Sequence, residues 1–358
     1  MSTFILRRLV LAIPVLIGIL AVTFILGHLI PGDPCRAMLG EKATAATCNA
    51  FIERFGLNKP ITTQFAIYMG DFLHGDLGTS VRFGQPVTAL LVERLPTTAE
   101  LALTALIFAT FVGIPLGIIS AYRYNSVIDA GTMIGANIGV SMPVFWLGLM
   151  LAYLFAVLLK DTPLALPPSG RLTAGANYTP FYVVWGLATS PDTATGFMIF
   201  ISRLNILNSI LTLNGAQFMD AARHLLLPSI AVGTIPLAII ARMTRSSVLE
   251  TLNQDYVRTA RAKGLSEFVV VTKHAVRNAL LPVVTIIGLN FGGLIAGAVL
   301  TETIFGFAGI GKTLFDGISS RDYALVQGVT LITAVAFVVI NLLVDILYGY
   351  LDPRIRLN

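Results

Sequence analysis

The chain has 358 residues, 55% of them hydrophobic and only 12% charged, with a formal net charge of +5 at pH 7. Soluble domains carry about 25% charged residues, so half that share makes lipid the main solvent. The basic residues are scattered through short loops with no aromatic platform between them, which argues against nucleic acid and for charges that set membrane topology.

In chain order the apolar runs are Leu9–Ile30, Thr97–Ala121, Ala130–Leu159, Leu225–Val248, Leu280–Thr303 and Ala324–Leu351. Each supplies the roughly 20 apolar residues that cross about 30 Å of hydrocarbon, and the third is long enough to tilt. The first follows Arg7 and Arg8 like a signal peptide, but its run is too long and lacks a small-residue cleavage site. Residues 1–30 are therefore expected to be a retained anchor.

Lys and Arg density sets orientation. With both termini inside, the short inner loops hold Arg123, Arg242, Arg245, Arg258, Arg261, Lys263, Lys273 and Arg277, and the tail 352–358 adds Arg354 and Arg356. The outer loops hold as many basic residues but over a far longer length, so the basic density per residue favours this orientation. The periplasmic side then receives residues 31–96, an insertion at 160–224 and a short stretch from Ile304 to Tyr323. The transmembrane domain is expected over 97–351, with an inner loop at 249–281.

Cys35 and Cys48 share the first outer segment, where an oxidising compartment lets them close a loop, typically worth about 2–4 kcal/mol. Two separate thiols are the alternative, and the sequence leaves the choice open. In the insertion, Pro163, Pro167, Pro168, Gly170, Pro180 and Pro191 stop any long helix. Its stretch 197–213 is apolar enough for one short interfacial or re-entrant helix, with a seventh span as the minor reading.

Between the fourth and fifth runs lies a basic, helix-prone loop. Asp255 is placed to cap a helix in which Ala260 and Gly264 follow Val257 at i+3 and i+7. This small-residue stripe suits close approach to a protein groove, while the surrounding Arg258, Arg261 and Lys263 suit an anionic lipid surface equally well.

Gly306, Gly311, Lys312 and Thr313 satisfy the nucleotide pattern G-x-x-x-x-G-K-[ST]. That pattern needs a strand before it and a helix after it. Here it falls between two spans, so a Gly-rich turn leading into a short helix is expected and ATP binding is not. His28, His74, His224 and His274 are far apart, and solvated or capping roles are expected for them. Glu100, Glu302 and Asp345 fall near span ends, and no buried acid–base pair is evident. An ion-driven transporter calls for such a pair at mid-membrane, so energy is expected to come from a partner.

The motifs carry a resemblance. FILRRL (4–9), HLIPGDP (28–34), FGLNKP (55–60), GDLGTS (75–80), SMPVFWLG (141–148), PPSGR (167–171) and ARMTRSSVLE (241–250) look like one family's signatures. So do QDYVRTARAKGLSE (254–267), RNALLPVVT (277–285), TETIFGFAGIGK (301–312) and LYGYLDPRIR (347–356). The chain resembles, over nearly its whole length, the permeases of dipeptide/oligopeptide/nickel-type ABC importers, most of all the dipeptide-type B subunits.

This resemblance implies an all-α, six-helix type I importer fold in the bacterial inner membrane. The chain would form half of an alternating-access pathway for short peptides. Its implied partners are a homologous second permease, one or two cytoplasmic ATPases and a periplasmic binding protein. ATP and Mg would be used by the ATPases, with no cofactor, metal or covalent chemistry on this chain. The implied ATPase-coupling loop is Tyr256, Val257, Arg258, Thr259, Ala260, Arg261, Ala262, Lys263 and Gly264. The general importer pattern is Glu-Ala-Ala, three residues, then Gly, whereas here Arg258-Thr259-Ala260 precedes Gly264, so a Glu-specific contact does not carry over.

Overall fold

The computed structural model describes residues 2–29, 35, 43–54, 56, 58–295 and 298–351. The tail 352–358 and most of the HLIPGDP stretch lie outside the described residues. The first run becomes α1 (Ser2–Leu29). Phe24 on it is buried, with its ring edge-on to Phe65 at 5.3 Å and stacked on Tyr68 at 6.0 Å. These two partners lie on α3 (Ile61–Leu73), which follows α2 (Ala45–Arg54). Cys48 on α2 is bonded to Cys35, with Cα atoms 5.4 Å apart, so the disulfide alternative is the correct one.

A short antiparallel hairpin, β1 (Thr79–Ser80) and β2 (Gln85–Pro86), leads into α4 (Val87–Tyr122). This helix begins ten residues before the apolar run, because Pro86 sets an extended N-cap ahead of it. The third run is not one tilted span. It breaks into α5 (Val127–Ser141) and α6 (Val144–Tyr153), the latter extended by a π turn over Leu154–Leu158, with a bend of 100° between them. The cause is Pro143: a residue before proline is pushed out of the α region, and Met142 has φ −81° and ψ 131°.

The insertion holds α7 (Phe181–Val184), α8 (Gly196–Ser202) and α9 (Asn205–Leu211). The single helix expected over 197–213 is thus two, separated at Arg203 and Leu204, and neither is long enough to span. The chain then enters α10 (Gly215–Leu252), 38 residues long, so the fourth apolar run is only the middle of its helix. The basic loop contains α11 (Asp255–Ala262). Next come α12 (Glu267–Val269), a π stretch over Val270–Val276, and α13 (Arg277–Ile295). The fifth run ends early at Ile295, and its remainder forms α14 (Val299–Ile304). Finally α15 (Ile310–Ser319) and α16 (Tyr323–Leu351) complete the chain.

Five helices among the described residues are long and apolar enough to cross a membrane, or six if the bent pair counts as one. At the centre α4 and α10 cross closely, flanked by α5 and α13, while α16 packs between α13 and α1. Small residues make that crossing possible. A Cβ built on Gly117 would sit 2.5 Å from the Ala241 carbonyl oxygen, and Ala241 is itself fully buried. Helices in lipid gain little from apolar burial against each other, so close backbone approach carries the association.

Gly117→Leu is therefore expected to force α4 and α10 apart at a cost of about 1–3 kcal/mol or more. Thermal unfolding of the detergent-purified chain measures it. Gly131→Leu, at a position with nothing within 4 Å, is the control that should melt like the parent.

Candidate coupling element and cavity

The basic loop helix α11 stands directly beyond α10, after only Asn253 and Gln254. Asp255 does not cap it. The N-cap is Gln254, without a side-chain cap bond, and Asp255 is the first helical residue, reaching Arg258 at 3.4 Å. Val257 and Ala260 form the apolar stripe that spacing predicted, but the stripe turns inward. Both are buried against Val270 and Leu252 of the same chain. Tyr256, Arg258, Thr259, Arg261, Ala262, Lys263 and Gly264 are left exposed.

Gly264 has a conformational duty. Its φ is +75°, its N–H donates to the Arg261 carbonyl at 2.9 Å, and nothing lies near a built Cβ. It ends the helix in the left-handed conformation that side chains disfavour by roughly 1–2 kcal/mol. Two further contacts hold the element in place. Arg261 grips Glu267 through Nη2–Oε1 at 2.7 Å and Nε–Oε2 at 3.1 Å, a bond that raises the Arg261 pKa further. Asn278 Nδ2 donates to the Tyr256 hydroxyl at 2.9 Å. Pro282 lies inside α13, beyond the π stretch.

Beneath this element sits a clamp that the sequence reading missed. Arg245 of α10 binds Asp129 of α5 in bidentate fashion, Nε–Oδ1 at 2.7 Å and Nη2–Oδ2 at 2.8 Å. Ser120 Oγ also donates to Asp129 Oδ1, and the Asn125 N–H donates to Oδ2 at 2.9 Å. The Tyr124 ring lies 5.4 Å from the Arg245 guanidinium. A second pair joins Glu100 of α4 to Arg171 at 2.6 Å, with Glu100 also accepting the Ile206 N–H at 2.7 Å. The expectation of no buried acid–base pair is thus overturned twice. Glu100 lies near the start of its apolar run and Asp129 in a short inner loop, and pairing across 71 and 116 positions has no local signal. The histidine reading fails at His224, which is buried and lies 3.2 Å from Asp220.

A cavity of about 590 Å³ opens between α6, α10, α13 and α14. Its lining is apolar, chiefly Val144, Val232, Ile235, Pro236, Leu289, Leu294 and Leu300, with Asn290 and Thr301 as the polar side chains. The nucleotide-like turn lies beside it and is already filled. The Glu302 carboxylate, fully buried, accepts the Lys312 N–H at 2.8 Å and the Thr98 hydroxyl at 2.6 Å. Thr98 Oγ1 in turn accepts the Ile310 N–H at 2.7 Å. Lys312 Nζ points instead to Asp316 at 3.4 Å. The N-terminus of α15 is therefore occupied by the chain's own carboxylate, and no phosphate has room there. Among the described residues no group of His, Cys, Asp and Glu could hold a metal ion.

Arg245→Ala is expected to destabilise the fold by about 3–5 kcal/mol, because it leaves the Asp129 carboxylate buried without its partner. Asp129→Asn combined with Arg245→Gln should cost less than the single change. Thermal melts of the purified variants compare the two.

Known proteins share this sequence from end to end. Residues 113–357 match the family model described as "Binding-protein-dependent transport system inner membrane component". Residues 1–102 match the corresponding N-terminal model. The dipeptide transport system permease protein DppB of Alkalihalophilus pseudofirmus is 45% identical over 356 residues, covering 99% of this chain and 100% of its own. The di/tripeptide transport system permease protein DppB of Pseudomonas aeruginosa is 46% identical over 99% of both chains. The oligopeptide transport system permease protein AppB of Bacillus subtilis is 40% identical over 99% of this chain and all of its own. With both models matched and likeness running the full length, this chain belongs to the family of binding-protein-dependent transport system inner membrane components.

Proposed function

We propose that this chain is one permease subunit of an ATP-driven, binding-protein-dependent importer of short peptides, dipeptides above all. The observation that carries the reading is the single continuous helix α10, 38 residues and about 57 Å long, which lines the cavity at Val232–Pro236 and ends two residues before the basic element α11. From α11 only Asn253 and Gln254 intervene before α10, which then runs as one helix to the cavity wall. The full-length likeness to dipeptide and di/tripeptide permeases supports the cargo class.

In this reading both termini and the 249–281 loop are cytoplasmic, while 31–96 and 160–224 are periplasmic. Alternating access is driven by one or two ATPases that use ATP and Mg, and this chain binds no cofactor. A homologous second permease supplies the other half of the pathway, and a periplasmic binding protein delivers the cargo. Because Val257 and Ala260 are turned inward, the ATPase is met by the opposite face, through Arg258, Thr259, Ala262 and Lys263. Glu100 and Asp129 each accept several donors, which suits a static clamp better than proton coupling in a self-sufficient secondary transporter.

Two outcomes test this. Ala262→Trp should leave the chain assembled with the second permease yet lower peptide-stimulated ATP hydrolysis at least about tenfold, as loss of a packed contact requires. Ala260→Arg should instead disorder the loop itself, seen as faster proteolysis there. An Ala262→Trp complex that turns over ATP at the parental rate rules out this docking face. For cargo, mass spectrometry of the ligand co-purifying with the binding protein encoded alongside should find short peptides; a metal chelate would reverse the assignment.

A further inference from the structure

Glu302 is a fully buried acid that the coupling path leaves without a role, and its surroundings are specific. It follows directly after Val299, Leu300 and Thr301, the residues by which α14 walls the cavity. Its own side chain turns the other way, to Thr98 on α4 and to the N-terminus of α15. The next turn is held as well: the Phe307 N–H donates to the Glu302 carbonyl at 2.7 Å, and the Gly170 N–H donates to the Phe305 carbonyl at 2.8 Å.

Helix α14 is only six residues long, far too short to hold itself in place. Its position must come from tertiary contacts, and the polar ones converge on this carboxylate. Thr98 serves two elements at once, because its hydroxyl donates to Glu302 while its oxygen accepts the Ile310 N–H. Removing that hydroxyl therefore takes one bond from Glu302 and one from the N-terminus of α15 together, leaving the Lys312 N–H on Glu302.

We propose that Glu302 is a positioning residue of transport: through Thr98 and the N-terminus of α15 it fixes α14 against α4 and so sets where the Val299–Thr301 wall of the cavity stands. The inference rests on the reading of that cavity as part of the peptide pathway. It assigns the TETIFGFAGIGK motif a duty as an internal latch, with the chain's own carboxylate where the look-alike pattern would place a phosphate. A wall held this way moves with α4 and stays rigid while the cavity opens and closes.

The test uses the complete importer in proteoliposomes carrying Leu300→Cys, since among the described residues the only cysteines are joined in the disulfide. Leu300 is exposed on this chain. Labelling Cys at 300 with a bulky maleimide should stop peptide uptake; undiminished uptake would overturn the pathway reading and the inference with it. Thr98→Val and Glu302→Gln are then added separately. Each should raise the labelling rate at position 300 and lower maximal uptake by about tenfold, the worth of one lost charge-assisted hydrogen bond, with the KM for the loaded binding protein unchanged. A purely structural role would lower the yield of assembled complex but leave labelling per complex unaltered. If the label blocks uptake while both variants label and transport at parental rates, the latch is overturned and the pathway stands. Where Glu302→Gln fails to assemble, the nearly isosteric Thr98→Val decides; failure of both to assemble also counts against a positioning role.

Discussion

Inside a membrane bundle every break in a helix exposes backbone N–H groups that water is not there to satisfy. This chain breaks repeatedly, and buried carboxylates meet the donors. Glu100 takes the Ile206 N–H at the start of α9. Asp129 takes the Asn125 N–H in the turn before α5. Glu302 takes the Lys312 N–H at the start of α15. Asp322 takes the Leu325 N–H at the start of α16, and also binds Ser80 Oγ at 2.6 Å and the Arg82 N–H at 3.0 Å. Glu100, Glu302 and Asp322 thus each cap a helix start, Asp129 holds the turn before one, and each of the four reaches a second segment.

These four pins explain how long helices and irregular segments coexist. The crossing of α4 and α10 supplies a rigid axis through close backbone contact, and the acids attach the rest to it. Glu100 fastens the insertion through Arg171, and Arg171 also donates to the Arg203 carbonyl. Asp129 fastens the α4–α5 turn to α10. Glu302 fastens α14 and α15 to α4. A charge buried for this purpose is tolerable because each carboxylate receives several donors; it becomes costly only when one is taken away.

The arrangement suits a machine that must transmit force over a distance. The clamp at Asp129 and Arg245 lies on the α10 segment leading to the basic loop, so α5 and α10 shift together there. The disposition of α11 fits the same logic. Its apolar stripe is spent on its own chain, which fixes the element firmly to Val270 and Leu252 and presents its polar face outward.

What the sequence determined by itself was the solvent, the family and the prolines that keep the insertion from forming one long helix. Composition and runs of about 20 apolar residues dictate spans irrespective of tertiary context, and α1, α4, α10, α13 and α16 all lie where those runs are. The motifs, read together, carried the kinship that the comparisons bear out. Periodicity likewise found α11 and its Val257–Ala260 stripe. Tertiary structure alone decided which way that stripe faces, because spacing defines a face but not its neighbour. It also decided that Met142–Pro143 bends by 100° rather than tilting, that Cys35 meets Cys48, that Glu100 and Glu302 are pins and not span-end charges, and that Asp129 clamps Arg245. Those partners lie 71 to 204 positions away, and no local pattern can encode a hydrogen bond whose other half is chosen by the packing of the whole bundle.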